Sequence, residues 1–319
     1  MLPQIRSVLG DRPPSQGRIL MHEHIVIGWG GSENDPLARL DVEGEIRRVS
    51  ADLRELRETW GVTCIVDASA SDMGRDVEFD RRVSEASQVD IVACTGLYKE
   101  GLGLPYYWKL ATVEELADFF EFELVEGVKD TGVRCGVIKV ASHGATLSDA
   151  ERSVFRAAGQ VSARTGAPII THTDPEGWAT CNVGAMQLDV LLDAGADPSR
   201  VAIGHACGTA DLDYLSELCD AGAYVAFDRV GSYHIRPDET RAATVSALVG
   251  AGYGTKVLLS HDHQAVWRRR GVPQGATQIK KDFGLMFREF LPRLVADGLT
   301  SAQIDSLCSE NPTRLLAWP

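Results

Sequence analysis

Six residues of this sequence have metal-binding chemistry and recur at the same kind of place. His22 and His24 lie two apart in RILMHEHIVI, and the two-residue period of a strand puts both imidazoles on one face. Buried together without partners, each would cost several kcal/mol as an unsatisfied polar group, whereas a divalent ion takes up their lone pairs. Lys139 follows the apolar run GVI. As an ammonium it offers only donors and burial disfavours its charge, so it is no ligand in that form. Its neutral amine can combine with carbon dioxide, and the resulting carbamate is an anion with two oxygens, enough to bridge two cations. His172 ends PIITH, His205 ends RVAIGH, and Asp262 follows LLSH. Taken singly, each has a bland reading: a surface pair, a lysine reaching solvent, a polar loop. Taken together they read as a two-metal site in which a water is acidified to hydroxide.

The elements that must position these residues are eight strand-helix units. The strands are read at 18–27, 62–68, 90–96, 134–140, 168–172, 200–205, 223–227 and 256–261, as near-continuous apolar runs typical of parallel strands buried on both faces. Amphipathic helices are read between them, for example at 42–60, 113–128 and 149–164. Capping boxes open helices at Thr112/Glu115, Ser148/Glu151 and Thr300/Gln303. Gly61, Gly132, Gly166, Gly222 and Gly252 stand where helices end. This predicts an α/β fold, a single (β/α)8 TIM barrel domain spanning 1–319. An open doubly wound sheet would carry a Gly-rich phosphate loop after its first strand, and none is present. On a barrel, the six residues fall at the C-terminal ends of strands one, four, five, six and eight, the face where barrel active sites are built.

Composition narrows the function. The chain has 319 residues, 44% of them hydrophobic, and a net charge of −13, which disfavours nucleic acid or an anionic membrane as partner. Seven cysteines form no CxxC pair and are odd in number, so all are read as reduced, in a cytoplasmic protein. The start, MLPQIRSVLGDRPPSQG, has no apolar core of a signal peptide, and no run reaches the ~20 apolar residues of a membrane span. His143 and His234 are read as solvated loop residues. His261 and His263, which flank Asp262, are read as structural and pointing away from it.

HEH at 22–24, IKV at 138–140, THT at 171–173, IGH at 203–205 and SHD at 260–262 resemble the phosphotriesterase family of the amidohydrolase superfamily, from about Gly17 to SENPTRLL at 309–316. The resemblance implies two divalent metal ions, zinc foremost, with cobalt, manganese or iron as alternatives. It gives His22, His24 and Asp262 to the more buried ion and His172 and His205 to the more exposed one, with a carbamylated Lys139 and a hydroxide as bridges. CTGLY at 94–98 and FDRVG at 227–231 resemble the lactonase-like branch, with Tyr98 beside the hydroxide and Arg229 next to the pocket. The segments 174–187 and 263–278 depart from that pattern. Trp267, with Arg268, Arg269 and Arg270, is read as part of a mobile lid over substrate. The expected enzyme hydrolyses a small-molecule lactone or carboxylic ester, with side activity on organophosphate triesters. Asp262 would serve as ligand and base, Tyr98 would orient the hydroxide or donate to the leaving oxygen, and Arg229 would steer a polar tail or pair with Asp228. The alternatives are a phosphotriesterase as main activity and a non-catalytic metal-binding barrel. A homodimer is compatible with either enzyme.

Overall fold

Ile5–Ser7 (β1) and Gly10–Arg12 (β2) form an antiparallel hairpin tied to the barrel wall by Val8 N–H donating to Ile91 O at 2.8 Å. The computed structural model describes residues 4–14, 17–174, 183–270 and 282–318. After the hairpin come β3 (Arg18–Ile27), β4 (Val62–Asp67), β5 (Asp90–Leu97), β6 (Val137–Val140), β7 (Ile169–Ile170), β8 (Val201–Ile203), β9 (Tyr224–Phe227), β10 (Val257–Leu259) and β11 (Gln264–Trp267). From β3 to β10 each strand pairs in parallel with the next, with helices in the crossovers. Helix Val42–Trp60 shows why they form: Val49, Leu53 and Leu56 repeat on one buried stripe, Asp41 caps the start, and Gly61 ends it at φ 68°. All three capping boxes expected from sequence are present. The helix expected at 113–128 stops at Val125, and the strand expected at 168–172 keeps only Ile169 and Ile170 in the ladder. Among the described residues no helix is long and apolar enough to cross a membrane.

The eighth strand is split. β10 pairs with β9 and β11 with β3, so the chain between them crosses from one neighbour to the other and closes the (β/α)8 barrel. Asp262 N–H donates to His22 O at 3.0 Å and His24 N–H to His263 O at 2.7 Å across the seam. Trp267 therefore does not belong to a loop lid. It lies in β11 opposite Ile27, because QAVW has the β-branched and aromatic character that pairs well beside β3. The rest of the expected lid, 271–281, lies outside the described residues, as does Cys181.

Two backbone irregularities aim side chains inward. Ile19 and Met21 of β3 pack with Val66, Val92 and Ala226 inside the barrel, and Leu20 packs with the outer, helix-facing cluster. Strict alternation would send His22 outward. The register of β3 against β4 shifts between Leu20 and Glu23, and this bulge turns His22 and His24 into the mouth while Glu23 faces the helices. His205 and Asp262 adopt left-handed φ of 58° each, a conformation uncommon without glycine, and it turns both side chains toward the same point.

Glu23 pins the seam. It is fully buried, and its oxygens accept from Ser260 Oγ (2.7 Å), His261 N (3.0 Å), His261 Nδ1 (2.8 Å) and His263 N (2.7 Å). Removing it would strand several buried donors. Glu23→Ala is expected to lower the free energy of unfolding by about 3–5 kcal/mol, in the range for breaking a buried pair. Glu43→Ala, which removes an exposed partner of Arg82, should cost no more than about 1 kcal/mol. Denaturant titration of both variants checks this, and equal losses would show that Glu23 does not hold the seam.

Candidate metal centre

The structure brings His22, His24, Lys139, His172, His205 and Asp262 together at the C-terminal mouth of the barrel. His22 and His24 come from β3 and Lys139 from β6. His172, His205 and Asp262 follow β7, β8 and β10. Ligand atoms of His22, His24 and Asp262 lie within 4.8 Å of one another. His22 and His205 rings are 4.7 Å apart, and those of His172 and His205 4.4 Å. Burial lowers the basicity of His22, His172 and His205, the last two strongly, so these imidazoles are neutral.

The outer partners decide which nitrogens face the centre. Asp228 continues the inward alternation of Tyr224 and Ala226. Its two oxygens meet His22 Nδ1 and His205 Nδ1, each at 2.8 Å, and the ring protons sit there. Ser69 Oγ donates to Val26 O at 3.0 Å, so toward His24 Nδ1, 2.9 Å away, it can only accept. Asp174 Oδ1 accepts a hydrogen bond from His172 Nε2–H at 2.9 Å. Asp228 lies close enough to His22 and His205 to be mistaken for a ligand, but it faces their outer nitrogens and orients them.

With the outer nitrogens protonated, the inner ones present lone pairs to other acceptors. His172 Nδ1 faces His205 Nε2 at 2.8 Å, and His24 Nε2 faces Asp262 Oδ1 at 3.3 Å. Acceptor against acceptor in a buried mouth is unfavourable unless a cation lies between or beside them. The donor set, neutral imidazole plus carboxylate, fits divalent transition metals such as zinc. Lys139 is fully buried in the same nest. Its Nζ donates to Thr171 O at 3.2 Å and lies 3.3 Å from His22 Nε2, and burial lowers its pKa to about 8.

Around this nest stand the remaining residues singled out from sequence. Tyr98 OH lies 3.4 Å from His172 Nδ1 and 3.3 Å from Nε2, and burial pushes its phenol up, so it keeps its proton. Arg229 Nε donates to Asp262 Oδ2 at 3.2 Å. The expected electrostatic pairing of Arg229 with Asp228 is present as well, each stabilising the charge of the other, while the Asp228 oxygens accept from the two histidines. Trp267 packs with Tyr98 against Ile27, Ala70 and Met73, and its ring lies 5.5 Å from that of Trp29, so it lines the mouth as a fixed wall. His143, expected to be merely solvated, is half-exposed but accepts a place in the network, Nδ1 lying 2.8 Å from Asp174 Oδ2. His261 and His263 point away from the nest, toward Glu23 and Phe283.

Sequence reasoning missed Ser69, Asp72 and Asp174, and did not see that Asp228 orients His22 and His205. Asp72, its pKa lifted to about 6 by burial, accepts from Tyr98 N–H at 2.9 Å and so sets the tyrosine's backbone. Its loop is fastened by the buried pair of Arg75 Nη2 and Glu123 Oε1 at 2.6 Å. Asp228 left a usable signal, being two residues beyond Ala226 on the inward face. Asp174, Ser69 and Asp72 left none, since loop carboxylates and hydroxyls at such places are common.

Comparison with known proteins agrees with this geometry. Residues 3–316 match the phosphotriesterase family. An aryldialkylphosphatase of Saccharolobus solfataricus is 28% identical over 305 residues, covering 94% of this chain and 95% of that protein. The solved organophosphorus hydrolase of Deinococcus radiodurans is 34% identical, with a TM-score of 0.90 and coverage of 99% of both chains. A structure from the molecular engineering of organophosphate hydrolysis on a weak promiscuous lactonase template matches equally, at TM-score 0.90 and 34% identity, over 98% of this chain and 99% of that one. Four histidines, a buried lysine and an aspartate at a barrel mouth, with a family match running almost end to end, lead to one conclusion: this chain belongs to the phosphotriesterase family of metal-dependent hydrolases.

Proposed function

We propose that the chain is a binuclear-metal hydrolase of lactones or carboxylic esters, with organophosphate triesters as a side activity. The observation that carries the reading is the inward-facing acceptor set of His22, His24, His172, His205 and Asp262 around the fully buried amine of Lys139. His22, His24 and Asp262 would hold one ion, His172 and His205 the other. Lys139, whose lowered pKa makes the neutral amine accessible, would bridge them as a carbamate. Two ions so held supply a hydroxide nucleophile near neutral pH and polarise the substrate's carbonyl or phosphoryl oxygen.

The chain's own groups do the rest. Asp262 accepts the proton released on attack at its carboxylate, which Arg229 keeps oriented through Nε. Tyr98, a phenol that stays protonated, donates a hydrogen bond to the carbonyl or leaving oxygen. Trp29, Met73 and Trp267 hold an apolar portion of the substrate and exclude water beside it. Tyr98 and Arg229 favour the lactone reading over the phosphotriester one, and the likeness to a structure built on a lactonase template supports it. The buried free thiols of Cys64, Cys94, Cys135, Cys207, Cys219 and Cys308 support a reducing, cytoplasmic setting.

Purified chain refolded with zinc or manganese and bicarbonate is expected to take up about two ions and to lose lactonase activity in chelator. Metal analysis finding none would end the enzyme reading. Lys139→Ala should lose binuclear binding, with partial restoration by small carboxylic acids in solution. An unmodified lysine in a metal-loaded crystal would refute the carbamate. Tyr98→Phe should lower lactone kcat by about 10²–10³, as loss of an oxyanion donor does. It should affect paraoxon at least tenfold less, because a phenolate leaves with little help. Equal losses on the two substrates would reduce Tyr98 to a pocket wall.

A further inference from the structure

One of the four inward imidazoles is turned the other way. His22, His24 and His205 are each tied through Nδ1, leaving Nε2 to face the centre. His172 is tied through Nε2, leaving Nδ1 inward, and its tie is Asp174. Two neighbouring loops converge on that carboxylate. Lys99, buried in the loop after β5, donates from Nζ to Oδ1. From the loop after β6, His143 Nδ1 lies 2.8 Å from Oδ2 and Gly144 N–H donates to Oδ2 at 3.3 Å. The loops are packed so closely that a Cβ on Gly101 would meet the His143 ring at 2.5 Å, so the imidazole is clamped although half its side chain is exposed.

We propose that Asp174, clamped by Lys99 and His143, is the positioning residue that selects Nδ1 of His172 and thereby governs retention of the second, more exposed ion alone. The proposal rests on the binuclear reading above. Two features separate the clamp from the rest of the network. Asp228 touches one histidine of each proposed ion pair, His22 and His205, so its loss must disturb both ions. Asp174 touches only His172 among the inward imidazoles. Without its carboxylate the His172 proton loses the acceptor that holds it on Nε2, since the Tyr98 hydroxyl stands 3.3 Å from Nε2 and 3.4 Å from Nδ1 and favours neither, and the ring can present a protonated nitrogen to the centre. Lys99 and His143 fix the carboxylate from opposite oxygens, so it cannot swing away to solvent.

The experiment is metal retention, read separately for the two ions. Wild type, Asp174→Ala, Asp174→Asn, Lys99→Met, His143→Ala and Asp228→Asn are loaded with zinc in bicarbonate, desalted, and challenged with a graded chelator. Asp174→Ala should hold one ion as tightly as wild type and the other 10–100-fold more weakly, the usual effect of removing an outer partner. Asp174→Asn, whose amide oxygen can still accept from Nε2, should recover part of that loss. Lys99→Met and His143→Ala should weaken the same ion to a smaller degree, and Asp228→Asn should weaken both. Thermal melts of the metal-free proteins read stability separately, since Asp174→Ala also strands the buried Lys99 ammonium, whereas His143→Ala leaves that pair intact. Should Asp174→Ala fail to fold, Asp174→Asn and His143→Ala carry the same comparison. Retention of both ions at wild-type affinity, or equal weakening of both, overturns the proposal. A wild-type chain that binds fewer than two ions overturns the binuclear reading and this proposal with it, whereas two ions in wild type with unchanged Asp174 variants overturns the proposal alone.

Discussion

Imidazoles buried in a barrel mouth that give their proton outward cannot satisfy one another. Each has one proton to give, and here each has given it outward, to Asp228, Ser69 or Asp174. The inner nitrogens are left as lone pairs a few ångströms apart, beside an aspartate that also only accepts. A buried acceptor without a donor costs about 1–3 kcal/mol, and several of them in one mouth make a steep local penalty. A divalent cation turns that penalty into binding energy. The outer partners are therefore as much a part of the centre as the atoms that face it.

The backbone is bent to the same end. A bulge in β3 reverses the alternation that Ile19 and Met21 set up, and without it His22 would meet the helices. His205 and Asp262 hold left-handed conformations that cost non-glycine residues of order 1–3 kcal/mol. At Asp262 the same kink moves the eighth strand from β9 to β3, so closing the barrel and presenting the carboxylate are one structural event. Glu23, on the far side of the strand from His22 and His24, keeps that event in place through Ser260, His261 and His263.

The parts of this arrangement that repeat with a short period were legible in the sequence. The eight apolar runs follow from strands buried on both faces, the HxH spacing from the two-residue period of a strand, and the capping boxes from spacing within one helical turn. What escaped was set by pairings far apart in the chain. Asp228 reaches His22 across 206 positions, which no local pattern encodes. Trp267 looked like loop because arginines and glycines follow it, yet backbone pairing with β3 makes it strand. The inward turns of His205 and Asp262 were equally hidden, since neither residue type announces a left-handed φ.

Arg229 bears on how a proton would leave Asp262 in the proposed reaction. Its Nε occupies Asp262 Oδ2, and a guanidinium accepts no proton, so a proton taken up by Asp262 has no onward carrier along that side. In the proposed reaction the natural recipient is then the departing oxygen itself. An alkoxide released from a lactone or ester is a strong base and takes the proton readily, closing the cycle with Asp262 again a carboxylate.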